Sequence, residues 1–135
     1  MLKVQNLTVH YGKIKALQGI DFEIAPGEIV SLIGANGAGK TTTLRTISGL
    51  LKPSSGSILL NGQEISRLDA REIVIAGVSH CPEGRQIFPR MTVMENLELG
   101  AYTRQDKANL KDDYQKVMDY FPILLERKNQ LAGTL

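Results

Sequence analysis

The 135-residue chain has a single cysteine, Cys81. An internal disulfide framework is therefore impossible, and thiolates cannot build a metal site, which points to a reducing compartment. No run of lysines or arginines tracks along the chain, and the formal net charge is only +2. So mild an excess gives no reason to expect nucleic acid as a partner. The opening residues, MLKVQNLTVHYGK, show no charged leader followed by an apolar core, so no signal peptide is expected. The longest apolar stretches, such as Ile29–Ala35, are interrupted. They fall far short of the roughly 20 residues that cross a bilayer. Any work at a membrane is then done from outside the bilayer, on a partner.

What is present is an ordinary globular composition, 42% hydrophobic and 22% charged, in a chain long enough for one domain with a real core. Residues 2–9, LKVQNLTV, alternate apolar and polar, with an irregularity at Gln5–Asn6, and predict a strand. IDFEI (20–24) predicts another, closed by the turn signal Pro26-Gly27. The apolar run 28–35, EIVSLIGA, predicts a short buried strand. A helix follows, ending near Gly49, and then a strand in GSILLNG (56–62), closed by the tight-turn pair Asn61-Gly62. Asp69 with Glu72 has capping-box spacing for a helix to about Ala76, GVSHC (77–81) reads as a short strand, and Thr92 with Glu95 caps a further helix. Leu110, Tyr114, Val117, Met118 and Phe121 share one face of a last helix, which Pro122 interrupts. The strands lack regular βαβ alternation. The pattern predicts an antiparallel β layer beside an α/β core.

Gly34-Ala35-Asn36-Gly37-Ala38-Gly39-Lys40-Thr41 fits G-x-x-x-x-G-K-[ST] in full. Small residues let backbone N–H groups converge on anionic oxygens without side-chain collision. The helix that follows aims the positive end of its dipole at the same oxygens. Lys40 is placed to neutralise β- and γ-phosphates, the Thr41 hydroxyl to ligate Mg²⁺, and Thr42 to add a hydroxyl or N–H. A dinucleotide fold is a poor rival, because Gly37-Ala38-Gly39 leads to Lys40 rather than to a third glycine. A guanine-reading N-K-x-D is absent. By local chemistry Tyr11 is an ordinary strand-end aromatic, and His10 and His80 are structural.

The stretches YGKIKALQGIDFEIAPGEIVSLIGANGAGKTTTLRTISGLLKPSSGSILLNGQEI, CPEGRQIFPRMTVMENLELGAY and FPILLERKNQLAGTL resemble the ATP-binding subunits of ABC transporters. More narrowly they resemble the F-type subunit of bacterial branched-chain amino acid importers. The resemblance implies a P-loop NTPase fold of α/β class. Residues 1–83 would form the nucleotide-binding core with its antiparallel β subdomain, and residues 84–135 part of a helical subdomain. It implies ATP and Mg²⁺ as cofactors, adenine stacking on Tyr11, phosphate contacts along Gly34–Thr42, and a catalytic part for Lys40. Glu83 stands where most of the family has a metal- and water-contacting glutamine, so Glu83 is a candidate metal and catalytic residue. That carboxylate favours the amino acid importer over the similar urea importers. The implied partners are a sister ATP-binding subunit, membrane permease subunits with a solute-binding protein, and a seat at the cytoplasmic face of the membrane. The segment Gly84–Ala101, with Ile87, Phe88 and Met91 beside Arg85 and Arg90, is the implied permease contact; the alternative is that Phe88 and Met91 plug the domain's own core.

In that family the signature motif follows at once after the equivalent of LAGTL, and an aspartate strand with a catalytic glutamate and then a switch histidine come after it. The chain by itself is therefore expected to hold nucleotide and turn over essentially none. The run Ile29–Ile33 is also expected to lack a strand neighbour. An ABC protein of translation or repair is a further alternative, though such proteins usually carry two cassettes or large insertions, of which this sequence has no sign.

Overall fold

The first strand, β1 (Leu2–Tyr11), carries the irregularity that its sequence announces. Its apolar residues change phase between Val4 and Leu7, and a strict two-residue period would turn Leu7 and Val9 outward. A bulge absorbs the change: the pairing register with the next strand shifts between Val4 and Leu7. Asn6 sits there at φ 46°, and its N–H donates to the Asp21 carboxylate at 2.8 Å. Asparagine tolerates this left-handed conformation better than most residues. Val4, Leu7 and Val9 are all buried as a result.

The computed structural model describes residues 1–84 and 86–135. β2 (Ile14–Ile24) is antiparallel to β1, and β3 (Ser55–Leu60) lies on the other side of β1. Asn61 and Gly62 both have positive φ, 50° and 84°, and turn β3 tightly into the short β4 (Gln63–Glu64). The sheet order is β2-β1-β3-β4, antiparallel throughout. Helices α1 (Lys40–Ile47) and α2 (Ala70–Ile75) complete the first part of the chain. Val4, Leu7, Val9, Leu17, Ile47, Ile58, Ile65 and Ile73 form its core. The Asp69–Glu72 capping box is present in both directions.

Two expected strands are not formed. Residues 28–35 make no strand pairing, and Ile29 and Ile33 are 96% and 94% exposed. The run is therefore not a buried strand; it has the unpaired condition also foreseen for it. Residues 77–81 likewise form no strand. A strand exists only where a neighbour takes its backbone groups, and neither segment has one among the described residues. No described helix is long and apolar enough to cross a membrane.

The chain divides into two units, Met1–His80 and Cys81–Leu135. The second unit holds α3 (Val93–Gly100), α4 (Lys107–Tyr120), α5 (Pro122–Glu126) and a 3₁₀ turn at Ala132–Thr134. Thr92 and Glu95 close the expected capping box on α3. Met118 is buried and Leu110, Tyr114 and Val117 half-buried along the apolar face of α4, whereas Phe121 is exposed. Pro122 ends that helix and opens α5 as its first residue.

Candidate functional site

Residues 34–42 lie in the first unit, between the exposed run 28–33 and α1. Gly37 and Gly39 have φ of 84° and 93°. Gly39 is the N-cap of α1, in the left-handed conformation and without a side-chain cap bond. A cap of this kind leaves first-turn N–H groups unclaimed by side chains, and those are the groups that bind anions. Gly39 also presses on β2: a Cβ there would lie 2.5 Å from Leu17 Cδ2 and 3.1 Å from the Ala16 carbonyl oxygen. Only glycine satisfies both the dihedral and the space.

The Lys40 ammonium folds back over its own loop. Its Nζ donates to the carbonyl oxygens of Gly34 at 2.6 Å and Ala35 at 2.8 Å. Asn36 and Gly37 form a turn that the Ala38 N–H closes onto the Ala35 carbonyl at 3.1 Å. The ring so formed has backbone amides, one ammonium and the N-terminus of α1, and no acidic side chain. That donor set suits a polyanion. Thr41 is exposed and Thr42 half-exposed, while the hydroxyls of Thr43 and Thr46 are spent on the carbonyls of Gly39 and Thr42. Thr41 thus has its oxygen available for a cation, and among the described residues no cluster of His, Cys, Asp and Glu offers a rival metal site.

An open groove of about 280 Å³ beside the loop is lined by Leu17, Phe22, Leu32, Ile33, Lys40 and Asp21. Asp21 is its one acid, and that carboxylate is already engaged by the Asn6 N–H. Tyr11 stands at the end of β1, 44% exposed, paired across the hairpin with Ile14. One hairpin therefore carries both Tyr11 and the two residues, Ala16 and Leu17, that support Gly39. The motif gave no hint of that support, which is a contact from a distant strand.

His10 Nδ1 lies 3.0 Å from Ser54 Oγ and His80 Nδ1 3.1 Å from Ser48 Oγ, as structural histidines would. Glu83 belongs to the second unit, on an exposed bend. In that unit Phe88 is 56% exposed and Ile87 is also exposed, so Phe88 does not plug the unit's core. Arg85 lies outside the described residues.

The family described as ABC transporter matches residues 17–134. The chain is 45% identical, over its whole length, to the high-affinity branched-chain amino acid transport ATP-binding protein BraG of Pseudomonas aeruginosa, covering 58% of that protein. It is 36% identical to a probable branched-chain amino acid transport ATP-binding protein, LivF, of Archaeoglobus fulgidus, covering all of this chain and 57% of that protein. Among solved structures, a dimeric ATP-binding cassette in a post-hydrolysis state with ADP and phosphate superposes with a TM-score of 0.80 at 25% identity, covering 100% of this chain and 63% of that one. The chain thus spans somewhat more than half the length of these relatives.

Proposed function

Because the chain belongs to the ABC transporter family, with the fold of part of an ABC ATPase cassette, we propose that it binds ATP for an importer of branched-chain amino acids. One observation carries the binding reading. Lys40 bridges the Gly34 and Ala35 carbonyls at the N-terminus of α1, which has no side-chain cap, and holds a cationic, amide-lined loop in shape with no acidic side chain bonded to it among the described residues.

On this reading the amides of Gly37–Thr42 hold the phosphates, and Lys40 exchanges its loop carbonyls for β- and γ-oxygens. The Thr41 hydroxyl holds Mg²⁺, which when bound neutralises the phosphate charge. Tyr11 stacks on adenine. Glu83 contributes a carboxylate to the metal or the attacking water, in a position where an amide is commoner in the family. The cargo class rests on what the BraG and LivF relatives are named for. The same family membership supports pairing with a sister subunit and a permease at the cytoplasmic face of the membrane, where a solute-binding protein delivers the cargo. Ile87 and Phe88, exposed in the second unit, are then the apolar part of the permease contact.

These 135 residues by themselves hold nucleotide and do not turn it over. Positioning phosphates is one requirement of phosphoryl transfer, and orienting the water is another. In the first unit the only acid lining the groove is Asp21, whose Oδ1 accepts from the Asn6 N–H. Isothermal calorimetry with Mg-ATP, alongside phosphate release, tests both halves: binding is expected and release is not. Binding that survives in Lys40→Ala at parental strength would remove the ATP assignment. Lys40-dependent release at the rate of an intact cassette would remove the second half.

A further inference from the structure

Resting on the permease contact read within Gly84–Ala101, we infer that Asn96 and Gly133 are positioning residues of a clasp that joins its Ile87–Met91 turn to Leu131–Thr134, so that the two move as one body.

The clasp has two parts, both within the second unit. The first is a seam of backbone hydrogen bonds. Val93 and Met94 N–H donate to the carbonyls of Gln130 and Lys128, both at 3.0 Å. In the other direction, Ala132 and Gly133 N–H donate to the carbonyls of Met91 at 2.9 Å and Pro89 at 3.1 Å. Thr92 and Leu131 form an antiparallel bridge between them. The seam is closed sterically as well. A Cβ on Gly133 would stand 2.7 Å from Pro89 Cβ and 3.0 Å from its carbonyl oxygen.

The second part is the Asn96 amide. Its Oδ1 accepts from Phe88 N–H at 2.9 Å, and its Nδ2 donates to the carbonyls of Phe88 at 3.1 Å and Thr92 at 2.8 Å. One side chain on α3 therefore fixes both ends of the 88–92 turn. Pro89 removes a backbone freedom inside that turn. Phe88 projects outward, while Ala132 and Val93 beneath the seam are 4% exposed. An exposed apolar contact thus sits on a backbone pinned from below by the Ala132–Thr134 turn. Packed, hydrogen-bonded elements pass a displacement on as a shift of the whole unit, because close packing leaves little room for local yielding.

Amide hydrogen exchange on the 135-residue chain tests the mechanical half. Asn96→Ala should speed exchange about tenfold at Phe88, whose acceptor is lost, and equally at Ala132 and Gly133, whose acceptors remain. Gly133→Ala should speed exchange at Phe88 by a similar factor. Leu7 and Ile58 in the first unit should not change. Asn96→Asp keeps the size and the Phe88 acceptor but loses both donors; it should speed exchange at Ala132 and Gly133 with little change at Phe88, and replaces Asn96→Ala if Met118 shows that α4 has opened. Acceleration confined to Phe88, or none at Phe88 in Gly133→Ala, overturns the clasp. The functional half needs a full-length cassette carrying this sequence, assembled with its permease. There, Asn96→Ala should keep a crosslink from Gln86→Cys to the permease and lose about tenfold in cargo-stimulated ATP turnover. A retained crosslink with unchanged stimulation overturns the inference. A Gln86→Cys protein with Asn96 intact that forms no crosslink overturns the docking reading itself, whatever the exchange data show.

Discussion

Replacing Lys40 by alanine separates what this loop does for nucleotide from what it does for the fold. Within its own loop Lys40 makes two charge-assisted hydrogen bonds, to Gly34 and Ala35. Binding does not add its charge to an empty space; it trades two neutral carbonyl acceptors for anionic ones. Contacts to a charged group are worth about 1.5–3 kcal/mol each, and those with both partners ionised about twice a neutral pair. The trade leaves a net gain of about 2–4 kcal/mol, a loss of about 30-fold to 1,000-fold in ATP affinity for Lys40→Ala. Stability should fall far less, by about 1 kcal/mol, because both lost bonds are solvent-exposed and sit in a loop. The assay is paired: calorimetric titration with Mg-ATP, and urea unfolding without nucleotide. Affinity unchanged in Lys40→Ala refutes the trade. A collapse of stability matching the loss of binding would show instead that Lys40 is chiefly a structural clip. Lys40→Arg should not rescue, because a planar fork cannot replace a compact ammonium against the same carbonyls.

Tyr11→Ala should weaken ATP by about 1–2 kcal/mol, the scale of base–aromatic stacking, and Tyr11→Phe should be nearly neutral; equal losses by calorimetry would move the role to the hydroxyl and Tyr11 out of the adenine site. Gly39→Ala forces a Cβ to 2.5 Å from Leu17 at φ 93°; it should lower stability by about 1–3 kcal/mol in urea and abolish ATP binding, and wild-type behaviour would show that this φ is not needed. Acid titration should weaken the start of α4. The Arg104 guanidinium bonds Asp106 and Asp113 and holds both carboxyls below their ordinary 3.8, Asp106 at about 2. A depressed carboxyl stabilises the fold above its unfolded value and loses that contribution as pH falls towards its folded value. Thermal unfolding of Asp106→Asn should therefore converge with the parent between about pH 4 and 2, and a gap that persists at pH 2 would mean the group acts through packing.

The features legible in the sequence were those that local chemistry decides. A phase change in an apolar alternation announces the bulge at Asn6. Asn61-Gly62 supplies two positive φ values in succession, and Asp69–Glu72 and Thr92–Glu95 satisfy helix donors from within four residues. The Gly34–Thr42 loop belongs to the same class, since its positive-φ glycines, Lys40 and the following helix are all contiguous. What was not legible depends on distant partners. Lys15–Gly19 lacks strand formers and is held extended by pairing with Thr8–His10. Ile29–Ile33 has ideal strand composition and no strand, because composition cannot supply a neighbour. Leu17 beneath Gly39, and Asn96 across the 88–92 turn, are the same kind of fact: their importance lies in what the fold brings to them.

The central claim is that the amides of Gly37–Thr42, with Lys40, hold the triphosphate. Proton–nitrogen correlation spectra of the ¹⁵N-labelled 135-residue chain, titrated with Mg-ATP and separately with adenosine, test it residue by residue. The expected result is that Mg-ATP moves the amide signals of Gly37, Gly39, Lys40, Thr41 and Thr42 most, and that adenosine leaves them in place. Shifts of these amides with adenosine alone, or Mg-ATP shifts that bypass them, would contradict the account.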